Sequence, residues 1–277
     1  MQIRYGFNIE IDVPQAVTIL TALDVESDRR RDIIEERPFS ATSSGGVEVY
    51  TDGFGNICRR IQALPGTMSL SLDGVIYDSG VPDPIAPDAA QIPVAELPVE
   101  TLPFLLASRY CETELLSDIA WSWFGAIPTG WAKVQAVCDF VHNHLTFSYP
   151  TARSTRTAWD AYNERIGVCR DFTHLAVTIC RCLNIPARYC NGYLGDIGVP
   201  PNPSPMDFNA WFEAYLGGRW YTFDARHNMP RIGRIVVARG RDAMDIPMLH
   251  TFGPHYLRRF EVITEEVRGH AYDIAAE

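Results

Sequence analysis

No stretch of this 277-residue chain approaches the ~20 uninterrupted apolar residues that a membrane span requires. Its first residues, Met1-Gln2-Ile3-Arg4-Tyr5, lack the apolar core of a secretory leader. Basic residues are short: 24 Lys and Arg stand against 34 Asp and Glu, a net charge of −10. So acidic a balance argues against a nucleic-acid or anionic-membrane surface, since both need a basic patch, and binding to either is not expected. Internal repeats and low-complexity tracts are absent. The seven cysteines (Cys58, Cys111, Cys138, Cys169, Cys180, Cys182 and Cys190) are odd in number and irregular in spacing, which predicts reduced thiols rather than a disulfide framework. Cys180-Arg-Cys182 is too short for a zinc ribbon and has no second pair, and His142-x-His144 alone is weak as a metal signature. No cofactor and no metal are expected, and the expected location is cytoplasmic. The sequence carries no signal of oligomeric state.

What is present is an ordinary globular composition, 47% apolar and 21% charged, in a chain long enough for one large domain or two modest ones. The first eighty residues read as strands. Ile3, Tyr5, Phe7, Ile9, Ile11 and Val13 alternate with mostly polar positions, and Val17 to Val25 offers a second strand. Thr51 to Asn56, with two glycines and an asparagine to supply positive φ, predicts a hairpin between Val47–Tyr50 and Ile57–Ile61. Asp73-Gly74 predicts another between Met68–Leu72 and Val75–Tyr77. Residues 1–80 are therefore expected to form an antiparallel β domain. Five prolines between Val81 and Pro98 predict a linker over 81–98.

From residue 99 to 277 the character changes. Helices are predicted over Leu102–Leu116, Trp131–Leu145 and Asp171–Leu183. In the last, Phe172, Leu175, Ala176, Ile179 and Leu183 share one face, and Pro186 ends it. Strands follow at Ala187–Leu194, Asn209–Leu216, Arg219–Asp224, Arg234–Ala238 and Arg258–Thr264. Helices first and antiparallel strands after make this an α+β domain. Trp121, Trp123, Trp131 and Trp159 read as packing residues.

Gly167-Val-Cys-Arg-Asp-Phe172 places Cys169 at a helix start, after a glycine suited to a sharp turn. Unsatisfied N–H groups and the helix dipole there stabilise a thiolate and are suited to an oxyanion. The position is open to two readings, nucleophile or buried core cysteine.

That hexapeptide, then Ile185-Pro-Ala-Arg-Tyr189, Gly192-Tyr-Leu194, Ala210-Trp-Phe-Glu213 and Trp220-Tyr-Thr-Phe-Asp224, resembles the bacterial transglutaminase-like superfamily. The resemblance runs from about Trp131 to Arg226, and the β-rich N-terminal part is similar to a domain that often precedes it. It implies a papain-like core, helices packed on an antiparallel sheet, with thioester chemistry on peptide or isopeptide amides. It further implies Cys169 as nucleophile and Asp224 as orienting carboxylate.

The chain departs from the family pattern where the base belongs. A histidine directly before the Ala-Trp pair is the family's base, and here Asn209 holds that slot. An amide does not titrate near neutral pH, so it neither takes the thiol proton nor protonates a leaving amine. His174, five residues after Cys169, lies about 140° around the helix and reads as structural. His227 is the better substitute if a turn after Asp224 brings its ring back, and otherwise a loop histidine paired with Asp224 or Asp207. Asp207, at an ordinary carboxyl pKa of about 4, is a poor acceptor for a thiol proton. Arg226, Arg231, Arg234, Arg239 and Arg241 form a basic cluster, suited to gripping a carboxylate or to ordinary ion pairing. The proline loop Pro200–Pro205 is placed to border the cleft. Three readings follow: a cysteine protease or amidase acting through an acyl-Cys169 thioester, a catalytically impaired member that binds a peptide or protein in the same cleft, or an enzyme whose base was replaced by an introduced Asn209.

Overall fold

The computed structural model describes residues 1–128, 130–202 and 205–267. In chain order its elements are β1 (Gln2–Val13), β2 (Val17–Thr21), β3 (Ile33–Ala41), β4 (Ser44–Thr51), β5 (Ile57–Ala63), β6 (Gly66–Tyr77), α1 (Thr113–Phe124), α2 (Gly130–His144), β7 (Thr146–Phe147), α3 (Ala158–Glu164), β8 (Ile166–Gly167), α4 (Cys169–Cys182), β9 (Ala187–Tyr193), β10 (Asn209–Leu216), β11 (Arg219–Phe223), β12 (Ile235–Gly240), β13 (His250–Thr251) and β14 (Tyr256–Glu266). They make three four-stranded antiparallel sheets, ordered β14-β1-β6-β3, β13-β2-β5-β4 and β11-β10-β9-β12. The α+β architecture, with a mainly β region at the N-terminus, is the one the residue pattern predicts.

The third sheet is buried on both faces, so β10 carries a continuous buried run from Ala210 to Ala214 instead of an alternation. Phe212, Ala214 and Leu216 pack with the apolar faces of α1, α2 and α4. Tyr189, Tyr193, Ile235 and Val237 join the core built by β1, β2, β5 and β6. Tyr193 meets Tyr5 edge-on at 5.4 Å between ring centres. Residues 1–80 do not close the β region alone: β13 and β14, from the far end of the chain, each supply an edge strand to it.

Several local expectations are corrected. No turn forms at Asp73-Gly74, where β6 runs straight through from Gly66 to Tyr77. Gly74 stands opposite Tyr5, and a β-carbon there would lie 2.9 Å from the tyrosine ring, so the glycine makes room for an aromatic neighbour rather than a bend. At the β4–β5 hairpin only Gly55 takes a positive φ, +86°. Asn56 instead donates its amide to Asp52 and to the Arg239 carbonyl. The helix expected over Leu102–Leu116 splits into a 3-10 turn at Val99–Leu105 containing Pro103 and a helix that begins only at Thr113. Trp121 and Trp123 are exposed rather than packed in a core. The strand expected to reach Val25 ends at Thr21. Neither β3 nor α3 has a counterpart in the sequence reading. The proline-rich segment 81–98 is tied down along its length: Asp83 bonds Arg231 and Arg234, the Ala89 and Ala90 carbonyls accept from Trp131 and Gly217, and Gln91 donates to the Leu183 carbonyl.

Candidate active-site cleft

α4 begins at Cys169, and the side chain that fixes this start is Asp171. Its carboxylate accepts the Val168 N–H at 2.9 Å and pairs with Arg156 at 3.0 Å, fully buried. An Asp at the third helical position is a capping signal that the sequence reading passed over. Gly167 does not adopt a positive φ, contrary to the sharp turn expected of it; a β-carbon there would lie 2.6 Å from the Asp171 β-carbon, so the glycine leaves space for the cap.

Cys169 is half-buried, while the other six cysteines are buried. It opens onto a cleft of about 650 Å³ lined also by Tyr189, Asn191, Asp207, Asn209 and Ala210, and across from them by Met244 to Phe260. Burial pushes the Cys169 thiol up to about 11; Arg226 and the N–H groups of Ala210 and Arg170 oppose this, and Asp207 adds to it. The activated thiolate expected at the helix start is thus overridden: removing a charge from water outweighs the dipole.

Asn209 starts β10 beside that sulfur. Its Oδ1 accepts from Arg226 Nη1 at 2.9 Å, and its Nδ2 donates to the Asp207 and Leu194 carbonyls at 3.1 and 3.4 Å. The Arg226 guanidinium also lies 4.0 Å over the Phe147 ring. Asp207 is raised above the ordinary carboxyl value by burial, against the Phe208 N–H and Arg226.

Asp224, just past β11, collects four donors: the N–H groups of Arg226 and His227 at 3.0 Å each, His227 Nδ1 at 2.8 Å and Arg234 Nη2 at 2.9 Å. Burial opposes its charge, but Arg234 and His227 overcome it and hold the carboxyl well below its usual range. His227 lines a separate cavity of about 60 Å³ with Asp207, Asn209 and Arg226 and does not line the Cys169 cleft. Of the four residues singled out, Cys169 and Asn209 line the larger cleft, Asp224 bonds His227, and Arg226 joins the two, with its side chain on Asn209 and its backbone N–H on Asp224. Sequence spacing carried no sign of that role.

The remaining arginines are paired, Arg231 with Asp196, Arg234 with Asp83 and Asp224, Arg239 with Glu213 and Glu26, and Arg241 with Asp245. His142 and His144 bond the Arg226 and Tyr162 carbonyls. Of the proline loop, Pro203 and Ser204 lie outside the described residues, and Asn202 and Pro205 border the smaller cavity. His250 and His255 line the Cys169 cleft, with His255 Nδ1 2.7 Å from Thr251 Oγ1. The sequence reading missed both, because they arrive on a segment some 80 residues away.

His174 is fully buried, stacked on Tyr110 at 4.9 Å and tilted against Tyr189 at 5.0 Å, with Nε2 accepting the Ala243 N–H. Burial, then Arg170 and Arg181, lower its pKa well below the ordinary value. The unfolded chain binds a proton there below about pH 6.5 and the folded chain does not. Stability is accordingly expected to fall as pH drops below about 6.5, and His174→Phe should flatten this limb of a plot of melting temperature against pH. A wild-type melting temperature constant from pH 7 to 5 would contradict it.

A buried helix that starts on a cysteine, packed on an antiparallel sheet whose strands bring up Asn209 and Asp224, is the α+β arrangement of a papain-like core. Residues 124–225 match the family model of the transglutaminase-like superfamily. A crystal structure named as "a Putative Cysteine Protease" from Cytophaga hutchinsonii is 29% identical, with a TM-score of 0.83 over 97% of this chain and 91% of that one. The uncharacterized protein ML0607 of Mycobacterium leprae is 28% identical over 140 residues, 49% of this chain and 50% of its own length. The chain thus spans about half of that curated relative. Residues 124–225 are similar to the core domain of the transglutaminase-like superfamily. Among the described residues no helix is long and apolar enough to cross a membrane.

Proposed function

We propose that this protein binds a peptide or protein segment in the Cys169 cleft and that its amide-cleaving chemistry is strongly impaired. One observation carries the reading: the base slot holds an amide fixed by Arg226, while His227 is committed to Asp224 and lines another cavity. With the thiol near 11, about one molecule in 10⁴ carries a thiolate at pH 7. The cleft itself is intact, roomy and walled by apolar side chains, which suits an extended segment.

A second reading keeps the reaction and rests on Asp207, whose carboxyl is raised and which acts electrostatically on the thiol. Asp207 would take the thiol proton as sulfur attacks the amide carbon, and return it to the departing amine to leave an acyl-Cys169 thioester that water cleaves.

Iodoacetamide alkylation of Cys169, followed by site-resolved mass spectrometry, separates the two. Binding alone predicts a rate still rising at pH 9, no acyl adduct with activated esters, and slower alkylation in the presence of bound peptides. A rate that levels off by pH 7, or a stoichiometric acyl-Cys169 burst, would overturn it.

A further inference from the structure

The floor of the Cys169 cleft holds a polar atom that the protein leaves without a partner. Asn191, on β9 two residues beyond Tyr189 and so on the same face of the sheet, is only 6% exposed. Its Nδ2 meets Met248 Sδ at 2.6 Å, while its Oδ1 is buried with no hydrogen-bond partner among the described residues. Asn191 nonetheless lines the cleft. A buried carbonyl oxygen with no donor is costly, and most such groups in folded proteins are satisfied by protein, water or ligand.

The apolar part of the cleft lining is Tyr189, Ile246, Met248, Leu249, Leu257 and Phe260, and Arg153, Arg170, Asp207, His250 and His255 line it as well. Resting on the cleft-binding function proposed above, we infer that Asn191 sets its specificity and that the pocket takes an aromatic side chain ending in a single N–H or O–H donor, tyrosine or tryptophan. The choice follows from counting donors and acceptors. One neutral acceptor satisfies only one of the several N–H groups of a lysine, arginine or carboxamide. Serine and threonine lack the apolar body to fill the space. A phenol or indole buries its ring against the aliphatic side chains and gives its one donor to Oδ1.

The test uses protection of Cys169 from iodoacetamide in the full-length protein by N-acetylated, C-amidated tripeptides Ala-X-Ala with X as Tyr, Trp, Phe or Leu. Half-protection by the Tyr or Trp peptide is expected at about tenfold lower concentration than by Phe, the worth of one buried hydrogen bond. Asn191→Leu should erase that preference while leaving protection by Phe, and Asn191→Asp, which keeps an acceptor, should retain it. Thermal melts of both variants check that they fold. Equal protection by Tyr, Trp and Phe in the wild type, or a preference that survives in Asn191→Leu, overturns the assignment of Asn191 alone. Failure of every peptide to protect Cys169 overturns the cleft-binding function on which it rests.

Discussion

Asn209→Ala should leave the iodoacetamide reactivity of Cys169 near the wild-type level, whereas Asn209→His is expected to raise it about a hundredfold at pH 7. The sulfur receives the N–H of Ala210, the next residue in the chain, so an imidazole at 209 arises beside it. The Asp207 and Leu194 carbonyls that now accept from the Asn209 amide offer acceptors for one ring N–H and leave the other nitrogen to take the thiol proton. Bringing the thiol from about 11 into the range of imidazole-paired cysteines increases the thiolate fraction roughly 10⁴-fold. The less basic thiolate is also a poorer nucleophile, by roughly 10² over that interval, which sets the net gain at about 10². The measurement is the second-order alkylation rate of Cys169 against pH. A change below threefold in Asn209→His would mean that residue 209 is not placed to serve as a base, and the account of the site would fail with it.

The second large effect concerns stability. Asp224→Ala is expected to cost about 3–5 kcal/mol, the penalty for stranding a buried charge. Arg234 is deeply buried and would keep only Asp83, while the Arg226 and His227 N–H groups would lose their acceptor. The native carboxyl is held below its unfolded value of about 3.9, so its contribution is complete above that pH and is lost as the medium is acidified through the folded value. Urea unfolding at pH 7 measures the cost, and Asp224→Ala/Arg234→Leu should recover part of it, because the buried guanidinium goes with its acceptor while Asp83 keeps the Arg231 N–H. A single variant within 1 kcal/mol of the wild type would show that Asp224 carries no structural load. In this chain the carboxylate that the resemblance assigns to orienting a base bonds the His227 ring, Arg234 and the N–H groups of a turn.

Much of this was legible in the residues. Period-2 alternation marks β1, the i, i+3, i+4 pattern marks α4, and Gly167-Val-Cys with Ala210-Trp and Asp224 carries the resemblance to a transglutaminase-like core. These signals are local, set by how side chains fall on one face of a strand or helix. The readings that failed turned on what packs against a residue rather than on its own backbone preference. Gly74 and Gly167 look like turn formers, yet each is small because a partner, Tyr5 or Asp171, occupies the space.

By itself the sequence determined the α+β class, the order of helices before strands in the second part, the resemblance to a transglutaminase-like core, and a non-titrating amide at 209. Only the folded chain decided that the thiol is protonated, that Arg226 rather than His227 attends Asn209, and that residues 243–260 form the far wall of the cleft. The reason is physical. Dihedral preference and hydrophobic periodicity act over a few residues, whereas desolvation and charge pairing depend on every atom within a few ångströms, whichever part of the chain supplies it.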